Sequence, residues 1–124
     1  MPFLQDIQQT VPHYPQGSPE RLILEFLLQH GVGRVNAQPW ASIQAHLQLH
    51  GFEWRLQTFQ QGLLKVTREG DMYIGSNDHL PYRGYFIIAD REDAELMAEW
   101  YQRRIGAEQA RLDHLTHLIN IQWP

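Results

Sequence analysis

Two pairs of histidines have a spacing that could do chemistry: His46 and His50 stand four apart, His114 and His117 three apart. Either spacing sets two imidazoles on one face of a helix, and two imidazoles are half of a zinc site. No further ligand stands at a diagnostic spacing, so the sequence implies neither a metal nor a cofactor. The chain has no cysteine, hence no thiol nucleophile, and Ser18, Ser42 and Ser76 lie outside any nucleophile-elbow pattern. The Gly31-Val32-Gly33 step is too short for a phosphate loop. Asp90, Glu92 and Asp93 form an acidic run, but carboxylates at a helix start are accounted for by the helix dipole without a metal. On these grounds the chain is expected not to be an enzyme.

A different chemistry is on offer between residues 55 and 68. Leu56, Phe59, Leu63 and Val66 recur at helical spacing as one apolar stripe, which leaves Arg55, Gln57, Thr58, Gln60, Gln61, Lys65 and Arg68 on the outer face. Glutamine can bond both hydrogen-bonding atoms of an adenine edge, and arginine those of a guanine. Arg83 sits in a turn that has little structural need for a guanidinium and suits a phosphate. The competing reading of Arg55, Lys65 and Arg68 is a solvated helix face, and that of Tyr82 is packing on its own hairpin.

The elements that must position these residues follow from punctuation and period. Residues 1–17 carry Pro2, Pro12, Pro15 and Gly17 and no sustained period, so they read as an arm in which FLQDIQQ adds a helical turn. Ser18 and Pro19 open a first helix, with Leu22, Ile23, Leu24, Phe26 and Leu27 on its apolar side and Gly31 at its end. Pro39 opens a second, pointing Trp40, Ile43, Leu47 and Leu49 inward, and Gly51 stops it. After a corner at Phe52-Glu53-Trp54 comes the helix of residues 55–69, weakened but not broken by Gly62.

Beyond Gly70 the pattern becomes extended. MYIGS and GYFII flank a turn-forming NDHLPYR, which predicts an antiparallel hairpin over 72–88 leaning on the helices. Asp90 then caps a last helix whose stripe is Ala94, Met97, Tyr101, Ile105, Leu112, Leu115 and Ile119. If continuous to Asn120 it spans about 45 Å, with Gly106 a point where it could bend. The spacing of the whole stripe lies nearer 3.6 than 3.5, with Glu108 interrupting it, so a strict coiled coil is not implied; the first half is expected to dock and Ile105, Leu112, Leu115 and Ile119 to dimerise.

The 124 residues suit one domain with an appendage: an arm over 1–17, a domain over 18–89 and a dimerising helix over 90–124. The formal charge is −4, with six basic against seven acidic side chains in residues 1–89 and four against seven in 90–124. Such a balance argues against a sequence-blind nucleic-acid coat. No leader pattern opens the chain and its apolar runs are far below a membrane span, so a cytoplasmic protein without membrane contact is expected.

Three helices and a hairpin, with Arg68-Glu69-Gly70, then Ile74-Gly75-Ser76, then Gly84-Tyr85-Phe86, then the pair Arg103-Arg104, resemble the winged helix-turn-helix domains of small bacterial and prophage proteins. The resemblance covers about residues 37–118. It implies a mainly α fold with a small β-hairpin, and a dimeric DNA-binding regulator or accessory factor of phage or mobile-element type. Double-stranded DNA would be held by Arg55, Gln57, Thr58, Gln61, Lys65, Arg68 and Arg83. The outer face is richer in amides and poorer in charge than such helices usually are. The alternative is a protein-interaction module that offers its acidic last helix to a basic partner.

Overall fold

The computed structural model describes residues 2–70, 73–78 and 81–123. The chain divides into two compact units, one ending at Ala94 and the other beginning at Glu95. It is mostly helical, with one two-stranded antiparallel sheet and a long C-terminal helix.

The first unit opens with α1 (Pro2–Thr10) and a tight turn over Val11–His13. Residues expected as an arm are thus helical, and they bury Ile7 and Val11 in the core. A short amphipathic helix gains its stability from what it covers, which a period spanning barely two turns does not announce. In α2 (Pro19–His30) the Ser18 hydroxyl accepts from the Arg21 amide at 3.3 Å, and Leu22, Ile23, Leu24 and Leu27 are buried. Then α3 (Trp40–Leu49) starts behind Pro39 and buries Ile43 and Leu47, whereas Leu49, expected inside, is 84% exposed. Leu49 lies two residues past Leu47, on the opposite side of the helix. The Phe52–Trp54 corner is tied back by the Gln44 side-chain amide, which donates to the Trp54 carbonyl at 3.1 Å.

The next helix differs from its expected stripe in an instructive way. It runs as α4 (Leu56–Phe59), a π-type turn over Gln60–Leu64, and α5 (Lys65–Glu69), with helical backbone at both joins. A π turn takes one extra residue to go round, so every side chain after it is displaced around the axis by about one position. Phe59 and Leu63 remain inside, but Val66 swings out to solvent and Leu64 and Thr67 are buried in its place. Leu56, at the stripe's start, is also exposed. The Thr67 hydroxyl donates to the Leu64 carbonyl at 2.9 Å, which satisfies the polar atom that this shift carries into the core.

Strands β1 (Ile74–Asn77) and β2 (Gly84–Ile87) pair antiparallel, Ile74 opposite Ile87 and Asn77 opposite Gly84. Met72, at the expected start of the hairpin, and His79 and Leu80, in its expected turn, lie outside the described residues. On its other edge β2 meets two isolated bridges, Ile87 with Val32 in the parallel sense and Tyr85 with Gln38 in the antiparallel sense, with a tight turn over Arg34–Asn36 between them. Tyr85 and Gln38 exchange two backbone hydrogen bonds of 2.8 Å. Ile74, Ile87, Phe59, Ile43 and Ile23 meet in one core, with the Trp40 ring stacked on Phe59 at 5.4 Å.

The last helix, α6 (Arg91–Gln122), is unbroken through Gly106 and about 48 Å long at 1.5 Å per residue. Asp90 caps it as expected, its carboxylate accepting from the Asp93 amide at 2.8 Å. Among the described residues no helix is long and apolar enough to cross a membrane.

Candidate nucleic-acid interface

Arg55 stands at the N-cap of α4, and Gln57, Thr58, Gln61 and Lys65 follow on the solvent side of the helix, all exposed. The two glutamines and the lysine succeed one another at intervals of four, so they form a row along the helix. Val66, displaced outward by the π turn, adds an apolar side chain beside the polar face. Gln60 leaves this set, donating instead to the Tyr85 hydroxyl at 3.4 Å.

Arg68 is placed differently from the other basic residues. Its Nε donates to the Ile74 carbonyl at 3.1 Å, one terminal nitrogen donates to the Ser76 hydroxyl at 3.1 Å, and the guanidinium lies 5.6 Å from the centre of the Tyr73 ring. The side chain clamps the end of the helix to β1. Arg83 is exposed at the far end of the hairpin, its Nε 3.4 Å from the Asp78 carbonyl.

The start of β2 lies close against the segment that leads into α3. Gly84 has a φ of +143°, and a Cβ there would lie 2.3 Å from the Gln38 carbonyl carbon and oxygen. Only a residue without a side chain lets the hairpin press so closely on the segment leading into α3. Beside this contact lies a groove of about 370 Å³, lined by Pro39, Trp40, Asn77, Asp78, Arg83 and Tyr85 among others. The sequence does not reveal that Trp40 and Tyr85 share a wall with Arg83. The signal was Gly84, whose presence ahead of an apolar strand marks a close backbone approach.

The two histidine pairs singled out by spacing belong to different units. His46 stacks on Phe26 and meets His50 edge-on, each at 5.0 Å between ring centres, and Phe26 also touches His30. Burial pushes the His46 pKa down, and His50 and His30 push it further, against a small opposing pull from Glu25. His114 and His117 are exposed on α6. Among the described residues no three His, Asp or Glu side chains come together as a metal site. The acidic run at 90–93 is engaged within the fold: Arg34 donates to Asp93 at 2.8 Å and to Glu92 at 2.9 Å, and Asp93 also accepts from the Ala89 amide.

Of the expected dimerising residues, Ile105, Leu112, Leu115 and Ile119 are all exposed on α6. The chain matches no protein-family model, no curated protein and no solved structure.

Proposed function

We propose that the chain is a winged helix-turn-helix protein that binds double-stranded DNA as a homodimer, a regulator or accessory factor of the kind found in phage and mobile elements. The observation that carries this reading is the joint exposure of Arg55, Gln57, Thr58, Gln61 and Lys65 on one helix and Arg83 on the hairpin packed behind it. In this reading α3 braces the helix of residues 56–69, whose outer face enters the major groove, and the hairpin is the wing that reaches the neighbouring backbone. The isolated bridges of Val32 to Ile87 and of Gln38 to Tyr85 brace the outer edge of the hairpin in this reading. Gln57 and Gln61 read base edges, Arg55 and Lys65 read bases or phosphates, and Arg83 holds a phosphate. Arg68 supports the interface by positioning the wing.

Selection of duplexes from a random pool tests this, alongside a variant with Arg55, Gln57, Lys65 and Arg83 replaced by alanine. Arg68 is left in place so that the fold is spared. Enrichment of a motif by the native chain and its loss in the variant is the expected result. A native chain that enriches nothing at low and at near-physiological salt overturns the reading in favour of a protein-binding module.

A further inference from the structure

From Gln102 to Trp123 every residue of the chain is exposed, although Ile105, Leu112, Leu115, Leu118, Ile119 and Ile121 lie among them. So many large apolar side chains within six turns are more than a solvated helix carries singly. Counted from Tyr101, the face repeats at intervals of four, three, four, three and four: Tyr101, Ile105, Glu108, Leu112, Leu115, Ile119. Ala94 and Met97 pull the average of the longer stripe toward 3.6, but this stretch alone has the seven-residue period of paired helices. The apparent interruption, Glu108, is a member of the seam. Tyr101, Arg104, Ile105, Glu108, Gln109 and Leu112 line one furrow along it.

Glu108 decides the direction of pairing. A parallel pair of identical helices sets each seam residue against its own copy, so two Glu108 carboxylates would meet in the seam, where like charges cost most. An antiparallel pair sets the positions that start each repeat against those four residues before them. With Ile105 opposite the partner's Leu115, Tyr101 faces Ile119 and Glu108 faces Leu112 of the other copy. The neighbour of that Leu112 is Arg111, and Arg111 already donates to Glu108 within one helix at 2.6 Å. Around the two-fold axis, level with Ala110, two glutamates and two arginines then alternate as a neutral quartet. The face is complementary in charge to itself, and only in this orientation.

From this geometry we infer that residues 101–122 of two copies pair as an antiparallel two-helix seam centred on a Glu108–Arg111 quartet. The inference rests on the homodimer in the reading above and requires no DNA. The absence of native cysteine makes cross-linking a clean test. Ile105→Cys and Leu115→Cys are prepared separately, both at exposed sites, then mixed reduced and mildly oxidised. The mixture is expected to form the mixed disulfide, while each variant alone forms none, because copies of one position lie about 15 Å apart along the axis. Self-cross-linking of each variant alone means a parallel pair, and no specific cross-link means a different partner; both overturn the inference.

Sedimentation supplies a second readout. Glu108→Arg is expected to weaken self-association roughly tenfold, equivalent to about 1.4 kcal/mol. Adding Arg111→Glu restores it by inverting the quartet, whereas in a parallel seam two copies of the new arginine still collide. A double variant as weak as the single one also overturns the inference. A cross-linked seam in a protein that selects no duplex would remove the DNA reading alone, and duplex selection by a chain that forms no cross-link would remove the seam alone.

Discussion

His46 is half-buried between Phe26 and His50, and its pKa is held below the ordinary 6.5 chiefly by burial, then by the two neighbouring histidines. A base whose folded pKa is lowered takes up its proton in the unfolded chain first. Between the unfolded and folded values the unfolded state holds more protons, so stability rises with pH there and is lost as pH falls below about 6.5. Denaturant melts of the native chain are expected to lose stability between pH 7 and 5, and His46→Gln to flatten that loss; an equal slope in both would show that His46 is not its source. Gly84 is a second residue with a sharp requirement. Gly84→Ala forces a Cβ into the Gln38 backbone at a positive φ, and is expected to cost about 3 kcal/mol, measured by denaturant unfolding.

At the scale of elements, the π turn over Gln60–Leu64 determines what the outer helix face presents. Gly62 lies inside it, with open space where a side chain would go. Gly62→Ala is therefore expected to raise stability by about 0.5–1 kcal/mol, read as a higher melting temperature. A loss of stability would mean that the wide turn depends on the glycine. This turn also marks where the sequence stopped being legible. The four helices after residue 18, the Ser18 and Asp90 caps and the hairpin were all written in local signals: a capping hydroxyl or carboxylate, a proline at a helix start, a change of period after Gly70. The register of Val66 and Thr67 was not, because a single added residue per turn leaves no local trace in the pattern. Arg68 was legible as a cation near the end of the helix of residues 56–69, but its hydrogen bonds to Ile74 and Ser76 arise from a strand that only the fold brings near. The helical N-terminal segment was obscured for the related reason that Ile7 and Val11 acquire their role from the core they meet.

For the molecule as a whole, the difficulty is that a chain of charge −4 is proposed to bind a polyanion. Long-range attraction cannot supply the affinity, so a few well-placed cations and a paired second copy must. That arrangement separates two quantities. Each phosphate held by a cation releases counterions, so the logarithm of the binding constant falls with the logarithm of salt concentration by about 0.9 for each such contact. Arg83, on the hairpin, would hold backbone; its replacement by alanine is expected to reduce that slope by about 2 in a dimer while leaving sequence preference intact. Gln57, on the outer helix face, would read a base edge; Gln57→Ala is expected to relax preference at one position of each half-site, by about 1–3 kcal/mol, with the slope unchanged. Fluorescence anisotropy of a selected duplex across a salt series measures both. An Arg83 variant with the native slope would mean that the hairpin does not touch DNA, and the groove beside Trp40 and Tyr85 would then face something other than a nucleic-acid backbone.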